Sequence, residues 1–369
     1  MQLEPHIDFL GTTPFKICIF SSSETTWGGS HIFIDSLCNY LNKVGIDTRI
    51  ASGRIAGYSA PTMRIPSVTS LRRRLQVAIH MAWKLRRNKV RAIILDDLSS
   101  LWLAPIFRLG GFKVISLLHL KIQVKNEDGF GHSHLQYLGL LASSYFANHI
   151  YSVNEENLKT LPGKPEFVGN FVPDWFFDAK TLLPKKYDLA FVGRIAREKN
   201  VPLFIELIAE MRRSLQGPVR ALIVGCGPDG RLIRRLIEKH GLESDVIMLP
   251  WLERSALPNI YDQVRCLVLT SYHEGFPTTI LEAHARGVPV VTLSTAGYGS
   301  VFVGKTLPRT GLVFEKKDLT SPRAIQKIST LIAHHSEYRL ACIQKARQFG
   351  DRKILGKIHQ DLLHIMGDS

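Results

Sequence analysis

Residues 267–289 contain the side chains with the clearest chemical potential. An apolar run at 267–269 leads into a short loop, and 278–286 has helical character, with Pro277 at its start and Gly287 where a left-handed cap is expected. A helix that begins directly after a strand presents unpaired N–H groups and the positive end of its dipole at the carboxyl edge of the sheet. Such an edge can hold a phosphate, and we expect a phosphate site here.

Two carboxylates, Glu274 and Glu282, frame this turn. Acidic groups that pointed at a phosphate would repel it, so they are better suited to accept hydrogen bonds from neutral hydroxyls on either side. A molecule with hydroxyls at both ends and a pyrophosphate between them has the shape of a sugar nucleotide. Spacing alone leaves a second interpretation open, in which Glu274 is a solvated loop residue and Glu282 a helix-surface charge.

The ten residues EGFPTTILEA at 274–283 resemble the E-x7-E signature of retaining, Leloir-type glycosyltransferases of family 4, which have the GT-B fold. The residues RGVPVV at 286–291 continue that family's turn from helix to strand. The resemblance implies that Glu274 contacts the hydroxyls of the transferred sugar, that the helix amides contact the phosphates, and that Glu282 contacts the ribose. The donor-binding residues that it implies in this segment are Gly275, Phe276, Pro277, Thr278, Thr279 and Glu282.

The bulk properties indicate a globular chain that is long enough for two domains. At 369 residues, two domains are the default expectation, and 45% hydrophobic with 21% charged residues is an ordinary globular composition. No run approaches the roughly 18 consecutive apolar residues that span a bilayer, and the first residues contain no apolar core of a signal peptide. We therefore expect a cytoplasmic protein.

The five cysteines are widely spaced, odd in number and without a C-x-x-C pair, which favours small core residues in a reducing compartment over a disulfide framework or metal site. They are Cys18, Cys38, Cys226, Cys266 and Cys342.

A formal net charge of +15 is the strongest bulk signal, and it suits an anionic membrane surface, nucleic acid or anionic small substrates. The sharpest basic cluster begins with Arg72 and ends with Lys89, and apolar residues recur through it at helical spacing. This pattern fits a solvated helix that packs on the sheet, or a helix that contacts an anionic membrane from the inner face. Nucleic acid is not an expected partner, because no series of aromatic residues is interleaved with these charges, among which Trp83 is the single aromatic side chain apart from His80.

The first half of the chain begins a βαβ unit. A buried strand at 16–20 is followed by a polar loop ending in Gly28 and Gly29, a helical pattern, and a strand at 47–51, which predicts a parallel, doubly wound sheet. Double glycines of this kind in the resembled family lie against the donor phosphates and the acceptor. A glycine pair at a turn is also explained by the turn alone.

His119 ends the later predicted strand at 113–118, where ligands of a doubly wound sheet bind. Its position resembles that of the family histidine which reaches the sugar from the N-terminal domain, and a structural histidine is the alternative. His132 and His134 could be combined with His119 and Asp128 as a metal site, but no third ligand is in register. The resembled family needs no divalent metal, so no metal or other cofactor is expected.

The second half restarts the alternation with a strand at 187–193 that ends in Gly193. Arg194 and Lys199 follow it, and two cations after a strand can flank a pyrophosphate without a metal. They match the diphosphate clamp of the resembled family, which implies a catalytic role for both, although exposed basic loop residues would look the same.

The residues GCGPDG at 225–230 formally satisfy G-x-G-x-x-G, the clue to an NAD(P)-dependent oxidoreductase. The acidic residue at the expected offset, Asp245, precedes the next predicted strand instead of ending it. In the resembled family this turn, here Gly225, lies beside the nucleotide base.

The resemblance has two visible departures. Phe171 replaces the usual glycine of the turn after the last N-domain strand, and Ser300 stands roughly where a glutamate is frequent.

The resemblance implies two Rossmann-like domains of the GT-B fold that face a cleft. We expect an acceptor-side domain at 1–172, a linker at 173–186, a nucleotide-sugar-binding domain at 187–345, and a C-terminal helical segment at 346–369 that packs back on the first domain.

The implied function is metal-independent, retaining transfer of a hexose-type sugar from a nucleoside-diphosphate sugar to an acceptor hydroxyl. Arg194 and Lys199 would stabilise the leaving phosphate, while Glu274 and His119 would orient the sugar. A glycan or lipid-linked acceptor of the cell envelope is the expected partner besides the donor. A peripheral position on the inner face of the membrane is a further expectation.

Overall fold

The computed structural model describes residues 15–21, 29–53, 57–65, 71–96, 98–119, 133–163, 165–178 and 183–367, apart from the side chains of 71–74, 98, 99 and 135. The chain divides into two compact units, one formed by Met1–Asn170 with Ile354–Ser369 and the other by Phe171–Lys353. The first boundary falls two residues before the predicted end of the first domain. The return to the first unit begins at Ile354.

The first unit contains a seven-stranded sheet in which every described strand pair is parallel, in the order β3-β2-β1-β4-β5-β6-β7. Its strands are β1 (Lys16–Ser21), β2 (Asp47–Ser52), β3 (Thr62–Arg64), β4 (Val90–Asp96), β5 (Lys113–Leu118), β6 (His149–Ser152) and β7 (Glu166–Phe167). Its helices are α1 (Gly29–Lys43), α2 (Leu71–Arg87), α3 (Leu98–Leu101), α4 (Ala104–Leu109), α5 (His134–Ser144) and α6 (Asn157–Thr160).

The second unit contains a six-stranded sheet, again with parallel pairs throughout, in the order β10-β9-β8-β11-β12-β13. Its strands are β8 (Tyr187–Val192), β9 (Ala221–Val224), β10 (Val246–Leu249), β11 (Val264–Leu269), β12 (Val290–Leu293) and β13 (Gly311–Phe314). Its helices are α7 (Val201–Leu215), α8 (Gly230–Lys239), α9 (Leu257–Asp262), α10 (Thr278–Ala285), α11 (Tyr298–Gly304), α12 (Pro322–Ala333) and α13 (Arg339–Ala346). The last helix, α14 (Asp351–Gly367), begins in this unit and ends in the first.

Hydrophobic burial explains why the strands are central. The strands β1, β4 and β11 are buried almost throughout, because helices cover both faces of a parallel sheet. Helix α7 has the matching one-sided pattern, with Leu203, Leu207 and Met211 buried in the core of the second unit. The predicted class of two doubly wound parallel sheets is confirmed. The described helices include none with the length and apolar character to cross a bilayer.

The tail of the chain is anchored in the first unit by polar contacts. The Tyr151 hydroxyl donates to Asp361 Oδ2 over 2.8 Å, and Lys357 pairs with Asp361 over 2.9 Å and with Glu166. These contacts hold α14 against β6 and β7. The strand β3 and the short helices α3 and α4 were not anticipated from the sequence, because three to six residues carry too little periodicity.

The glycines of the 225–230 turn have a packing role. The N–H of Gly193 donates to Val224 O over 3.0 Å, so the loops after β8 and β9 touch. Gly225 has a φ of +144°, and an added Cβ there would lie 1.9 Å from the Gly193 carbonyl oxygen. The same Cβ at Gly227 would lie 2.2 Å from Ile195 O. Close approach of two loops therefore accounts for both glycines without a dinucleotide.

Gly225→Ala should therefore destabilise the second unit by more than about 2 kcal/mol, since the backbone must shift to relieve the clash. Gly230→Ala is the matched control in the same turn. No heavy atom lies within 4 Å of an added Cβ at Gly230, which begins α8, so alanine should change stability by less than about 1 kcal/mol. Urea unfolding of both variants measures the difference, and equal stabilities would contradict this account.

Candidate active site

The predicted phosphate turn lies between β11 and α10. Pro277 is extended, with a ψ of 124°, and the helix begins at Thr278, while Gly287 has a φ of +74° and follows the last turn. The predicted start of the helix and the left-handed Gly287 are confirmed, and the helix ends at Ala285, one residue before the predicted end. Thr278 and Thr279 are half-buried at the first turn, whose N–H groups lack partners within the helix ladder. The N-terminus of α10 is therefore available to an anion at the carboxyl edge of the sheet.

Glu274 is bound to the loop that follows β8. Its Oε1 accepts a hydrogen bond from Ser271 Oγ over 2.7 Å and forms an ion pair with Lys199 Nζ. Two more bonds join the loops, from Thr270 Oγ1 to Lys199 O over 3.0 Å and from Tyr272 N to Glu198 O over 2.9 Å. The structure thus brings the predicted sugar ligand and one predicted phosphate ligand into direct contact. Glu274, at 9% exposure, is not a freely solvated loop residue.

Arg194, the other cation of the predicted clamp, pairs with Glu198 four residues later and is 42% exposed. Lys199 is 25% exposed. Each cation of the clamp is therefore balanced by a carboxylate.

Glu282 lies inside the protein, with 3% exposure. Its Oε1 accepts from Arg254 Nε over 3.0 Å and lies 2.9 Å from Arg254 Nη2, while its Oε2 accepts from the Tyr261 hydroxyl over 3.1 Å. Burial, with the Glu282 charge beside it, raises the pKa of Tyr261 well above its usual range. The interpretation of Glu282 as a helix-surface charge was wrong. Arg254 and Tyr261 carried no sequence signal, because they are 28 and 21 positions away.

A buried ion pair fixes the C-terminal end of α10. Arg286 donates to both carboxylate oxygens of Asp262, over 2.9 and 2.6 Å, and to the carbonyl oxygen of Phe176 over 2.7 Å. Both charged residues are less than 10% exposed. Phe176 belongs to the short 3-10 segment Asp174–Phe177 within the predicted linker, and its ring lies 5.6 Å below the Arg254 guanidinium. Residues of the signature helix are thus tied to the segment that precedes β8.

Phe276, a predicted donor-binding residue, is placed in the core. Its ring is 2% exposed and packs edge-on against the aromatic rings of Tyr298, Phe302 and Phe349, at centroid distances of 5.0 to 5.2 Å. The N–H of Tyr298 donates to Gly275 O over 2.9 Å, and Gly297 approaches the same backbone with a φ of +54°. Only the backbone of Phe276 is left to face a donor.

The loop that departs from the family pattern closes on itself. The hydroxyl of Ser300, which is buried, donates to Gly297 O over 2.9 Å. Ser300 stands roughly where the resembled family often has a glutamate, and its short side chain is hydrogen-bonded within its own turn.

The first unit has its own polar edge. Gly28 lies outside the described residues, and Gly29 is the first residue of α1. His119 follows β5, and its Nε2 lies 3.0 Å from Oδ1 of Asp96, the last residue of β4. Asp96 was not anticipated, although its place at a strand end beside that of His119 was a usable signal.

A metal-binding geometry occurs once among the described residues. His149, Glu166 and Asp361 offer ligand atoms within 4.8 Å of one another. The Lys357 ammonium already bonds to both carboxylates there, so this cluster is an ion-pair network. Of the histidines considered from sequence, His132 lies outside the described residues and His134 is exposed on α5.

Asp245, the acidic residue on which the oxidoreductase alternative depends, makes structural contacts. Asp245 is buried before β10, where its Oδ1 accepts from the N–H of Val219 over 3.0 Å and its other oxygen lies 3.3 Å from Arg212. It is at the amino end of the strand, whereas a dinucleotide ribose is held at the carboxyl end.

The chain resembles known proteins in sequence and in fold. The sequence pattern of the family described as glycosyl transferases group 1 matches residues 174–349. The 2-deoxystreptamine N-acetyl-D-glucosaminyltransferase of Niallia circulans is 25% identical over 123 residues, which cover 33% of this chain and 31% of that relative. The matched stretch is thus about a third of either protein.

Two solved structures show the fold. Sucrose-phosphate synthase of Thermosynechococcus elongatus superposes with a TM-score of 0.76 at 19% identity, covering 96% of this chain and 100% of that chain. HepE of Anabaena in complex with UDP-glucose superposes with a TM-score of 0.73 at 15% identity, covering 94% and 99%. The predicted GT-B class of fold is confirmed.

Protonation of His284 supplies a test of how α10 is held. Its ring is fully buried, with Nε2 2.7 Å from Thr310 Oγ1 and Nδ1 3.1 Å from Val288 O, and burial lowers its pKa to about 3. Because the unfolded chain takes up this proton below pH 6.5, the folded state loses stability as pH falls from there. Between pH 7.5 and 5.0 the free energy of unfolding should fall by roughly 2 kcal/mol from this residue.

Urea unfolding at both pH values of the wild type and of His284→Gln measures this contribution. The variant should lose less stability on acidification, because glutamine does not titrate. His240→Gln is the matched control, since His240 is an exposed histidine of the same unit. An equal loss in the wild type and in His284→Gln would contradict the assignment.

Proposed function

From the match of residues 174–349 to the pattern of the glycosyl transferases group 1, we propose that this chain transfers a hexose-type sugar from a nucleoside-diphosphate sugar to an acceptor hydroxyl, with retention of configuration. The observation that carries the proposal is the contact between Glu274 and Lys199 beside the N-terminus of α10. At one edge of a parallel sheet it joins three groups: a carboxylate that can accept hydrogen bonds from hydroxyls, a cation that can bind phosphate, and the positive end of a helix dipole. A sugar diphosphate presents the complementary groups in that order.

Binding of the donor would exchange partners within this site. The diphosphate would take Lys199 and Arg194 from their carboxylates and receive the amides of Thr278 and Thr279. Glu274, relieved of its ion pair with Lys199, would then accept hydrogen bonds from sugar hydroxyls while Ser271 keeps its carboxylate in place. The two cations and the helix amides stabilise negative charge as it develops on the departing phosphate.

Retention of configuration requires the acceptor hydroxyl to attack the face of the sugar from which the phosphate departs. Glu274, the carboxylate that the resemblance assigns to the sugar, is held by hydrogen bonds to Ser271 and Lys199. The proposal therefore contains no covalent glycosyl intermediate. It assigns to Arg194 and Lys199 the charge neutralisation that a divalent metal provides in other transferases, so no metal is required.

The remaining assignments follow the resemblance. His119 would orient the sugar, Gly28 and Gly29 would lie near the phosphates and acceptor, and Gly193 and Gly225 near the nucleotide. Glu282 would accept a hydrogen bond from the ribose on a lone pair that Arg254 and Tyr261 do not use. The acceptor is proposed to be a glycan or a lipid-linked sugar in the synthesis of a cell-envelope polysaccharide or glycolipid.

The donor should raise the melting temperature of the protein. A ligand that binds only the folded state adds about 2.7 kcal/mol at a hundred times its Kd. In a thermal-shift panel of nucleoside diphosphates and their sugars, we expect one base series to stabilise the wild type. Lys199→Met should lose most of that shift, because an anion loses its central cation. Lys239→Met is the matched control, since Lys239 is exposed at the end of α8.

The panel also includes NAD and NADPH, and a shift only with these would support an oxidoreductase instead. The best sugar nucleotide is then taken to turnover with a panel of glycan and lipid acceptors. NMR of the anomeric proton of the product should show the configuration of the donor. An inverted product, or a full shift in Lys199→Met, would contradict the proposed mechanism.

The surface of helix α2 supports the proposal of a peripheral membrane position. Its residues Ala78, Met81, Ala82 and Leu85 are buried in the core of the first unit, as expected for a helix on a sheet. A second apolar row with i, i+4 spacing is exposed instead, namely Leu75 at 37%, Ile79 at 60% and Trp83 at 57%. The Arg87 guanidinium lies 4.6 Å from the Trp83 ring centroid. Apolar side chains flanked by arginines are typical of helices at an anionic lipid interface.

The protein should therefore float with vesicles that contain phosphatidylglycerol and not with phosphatidylcholine alone. Replacing Ile79 and Trp83 together by Gln should abolish flotation, and replacing Arg72, Arg73 and Arg74 by Ala should weaken it and its salt dependence. Replacing Leu232 and Ile247, which are 45% and 48% exposed in the second unit, by Gln is the matched control. Undiminished flotation of both α2 variants would remove this surface from the proposal.

A further inference from the structure

Three neighbouring strands of the first unit bring polar side chains together at their carboxyl ends. Ser21 ends β1 and is opposite Asp96, which ends β4, while His119 directly follows β5. The strands β1, β4 and β5 are adjacent in the sheet. This is the edge at which ligands bind in doubly wound sheets. The three side chains form one hydrogen-bonded group.

Asp96 is the centre of this group. It is 1% exposed, its Oδ2 accepts from Ser21 Oγ over 3.1 Å, and its Oδ1 lies 3.0 Å from His119 Nε2. An ionised carboxylate can only accept hydrogen bonds, so the imidazole proton in this contact belongs to Nε2. In a neutral imidazole the other ring nitrogen, Nδ1, then carries a lone pair.

Nδ1 of His119 is the unusual atom. The side chain is 10% exposed, and Nδ1 is fully buried with no hydrogen-bond partner among the described residues. The ring is fixed edge-on to Phe33, with centroids 5.3 Å apart and an interplanar angle of 71°. Buried polar atoms are usually paired, so an orphaned acceptor at a ligand-binding edge points to a partner that arrives with the ligand.

We propose that Asp96 is a positioning residue, which holds His119 as the Nε2–H tautomer so that Nδ1 accepts a hydrogen bond from a hydroxyl of the bound sugar. The identity of the ligand rests on the proposed function, whereas the tautomer is a property of the free protein. A site built to accept one hydroxyl proton discriminates against the deoxy analogue, because Nδ1 is then left buried and unpaired. Asp96 thereby sets specificity for a hydroxylated sugar without touching it.

The tautomer can be measured without any ligand. In protein labelled with ¹⁵N-histidine, His119 is assigned by the signals absent from His119→Gln. The proposal requires a pyrrole-type Nε2 and a pyridine-type Nδ1 in the wild type at pH 8. Asp96→Asn should lose this pattern or reverse it, because an amide can donate to Nε2. Ser21→Ala is the matched control, since it removes the bond to Oδ2 and leaves the Nε2 contact unchanged.

Kinetics then separate positioning from support of the fold. With the sugar nucleotide that the thermal-shift panel identifies, Asp96→Asn should lower kcat/KM by at least about tenfold, while the affinity for the nucleoside diphosphate, which lacks the sugar, stays unchanged. His119→Asn keeps a polar atom near the position of Nδ1 and should retain more activity than His119→Gln, whose polar atom lies near that of Nε2. The deoxy donor that lacks the recognised hydroxyl should lose its disadvantage in Asp96→Asn.

A neutral wild-type His119 with the proton on Nδ1 would overturn the proposal, and so would an unchanged tautomer in Asp96→Asn. If Asp96→Asn does not fold, the wild-type spectrum and the Asn and Gln variants of His119 decide alone, and equal activity of those two variants also overturns it. Failure of every nucleotide to bind the wild type would instead count against the proposed function, since the tautomer is observed in its absence.

Discussion

The ion pair of Lys199 with Glu274 is the contact on which the site of the second unit depends. It joins the loop after β8 to the loop after β11, two strands that are neighbours in the sheet. Because the pair is partly exposed, solvent screens it and its contribution to stability is small. Its importance is chemical, because it keeps a carboxylate that can accept hydrogen bonds from hydroxyls in contact with a cation that can bind phosphate. An anionic ligand can take the cation and leave the carboxylate in position.

Buried charged residues hold α10, the helix whose N-terminus lies at this site. Two sets of contacts tie the C-terminal half of α10 to elements distant in sequence: Glu282 with Arg254 and Tyr261, and Arg286 with Asp262 and the Phe176 carbonyl. Breaking a buried pair from one side costs about 3–5 kcal/mol, because the remaining charge stays unpaired. These pairs hold a helix of only eight residues in one position.

The first unit repeats the principle with different residues. Its carboxyl edge gathers Ser21, Asp96 and His119 around one buried carboxylate, where the second unit gathers Ser271, Lys199 and Glu274. In each case a serine hydroxyl and a side-chain nitrogen lie within hydrogen-bond distance of the same carboxylate. Parallel strands favour such a cluster, because the last residue of every strand lies at the same edge of the sheet.

The sequence by itself determined the alternation of strands and helices, the parallel sheets, and the turn between β11 and α10, because hydrophobic period and helix caps are local. It also placed Glu274, Lys199 and His119 at strand ends, where ligands bind. Only the tertiary structure decided that Glu282 is buried against Arg254 and Tyr261, that Phe276 packs in an aromatic core, and that Asp96 holds His119. These contacts join residues 21 or more positions apart, and no periodicity within one segment records which distant side chain will fold against it.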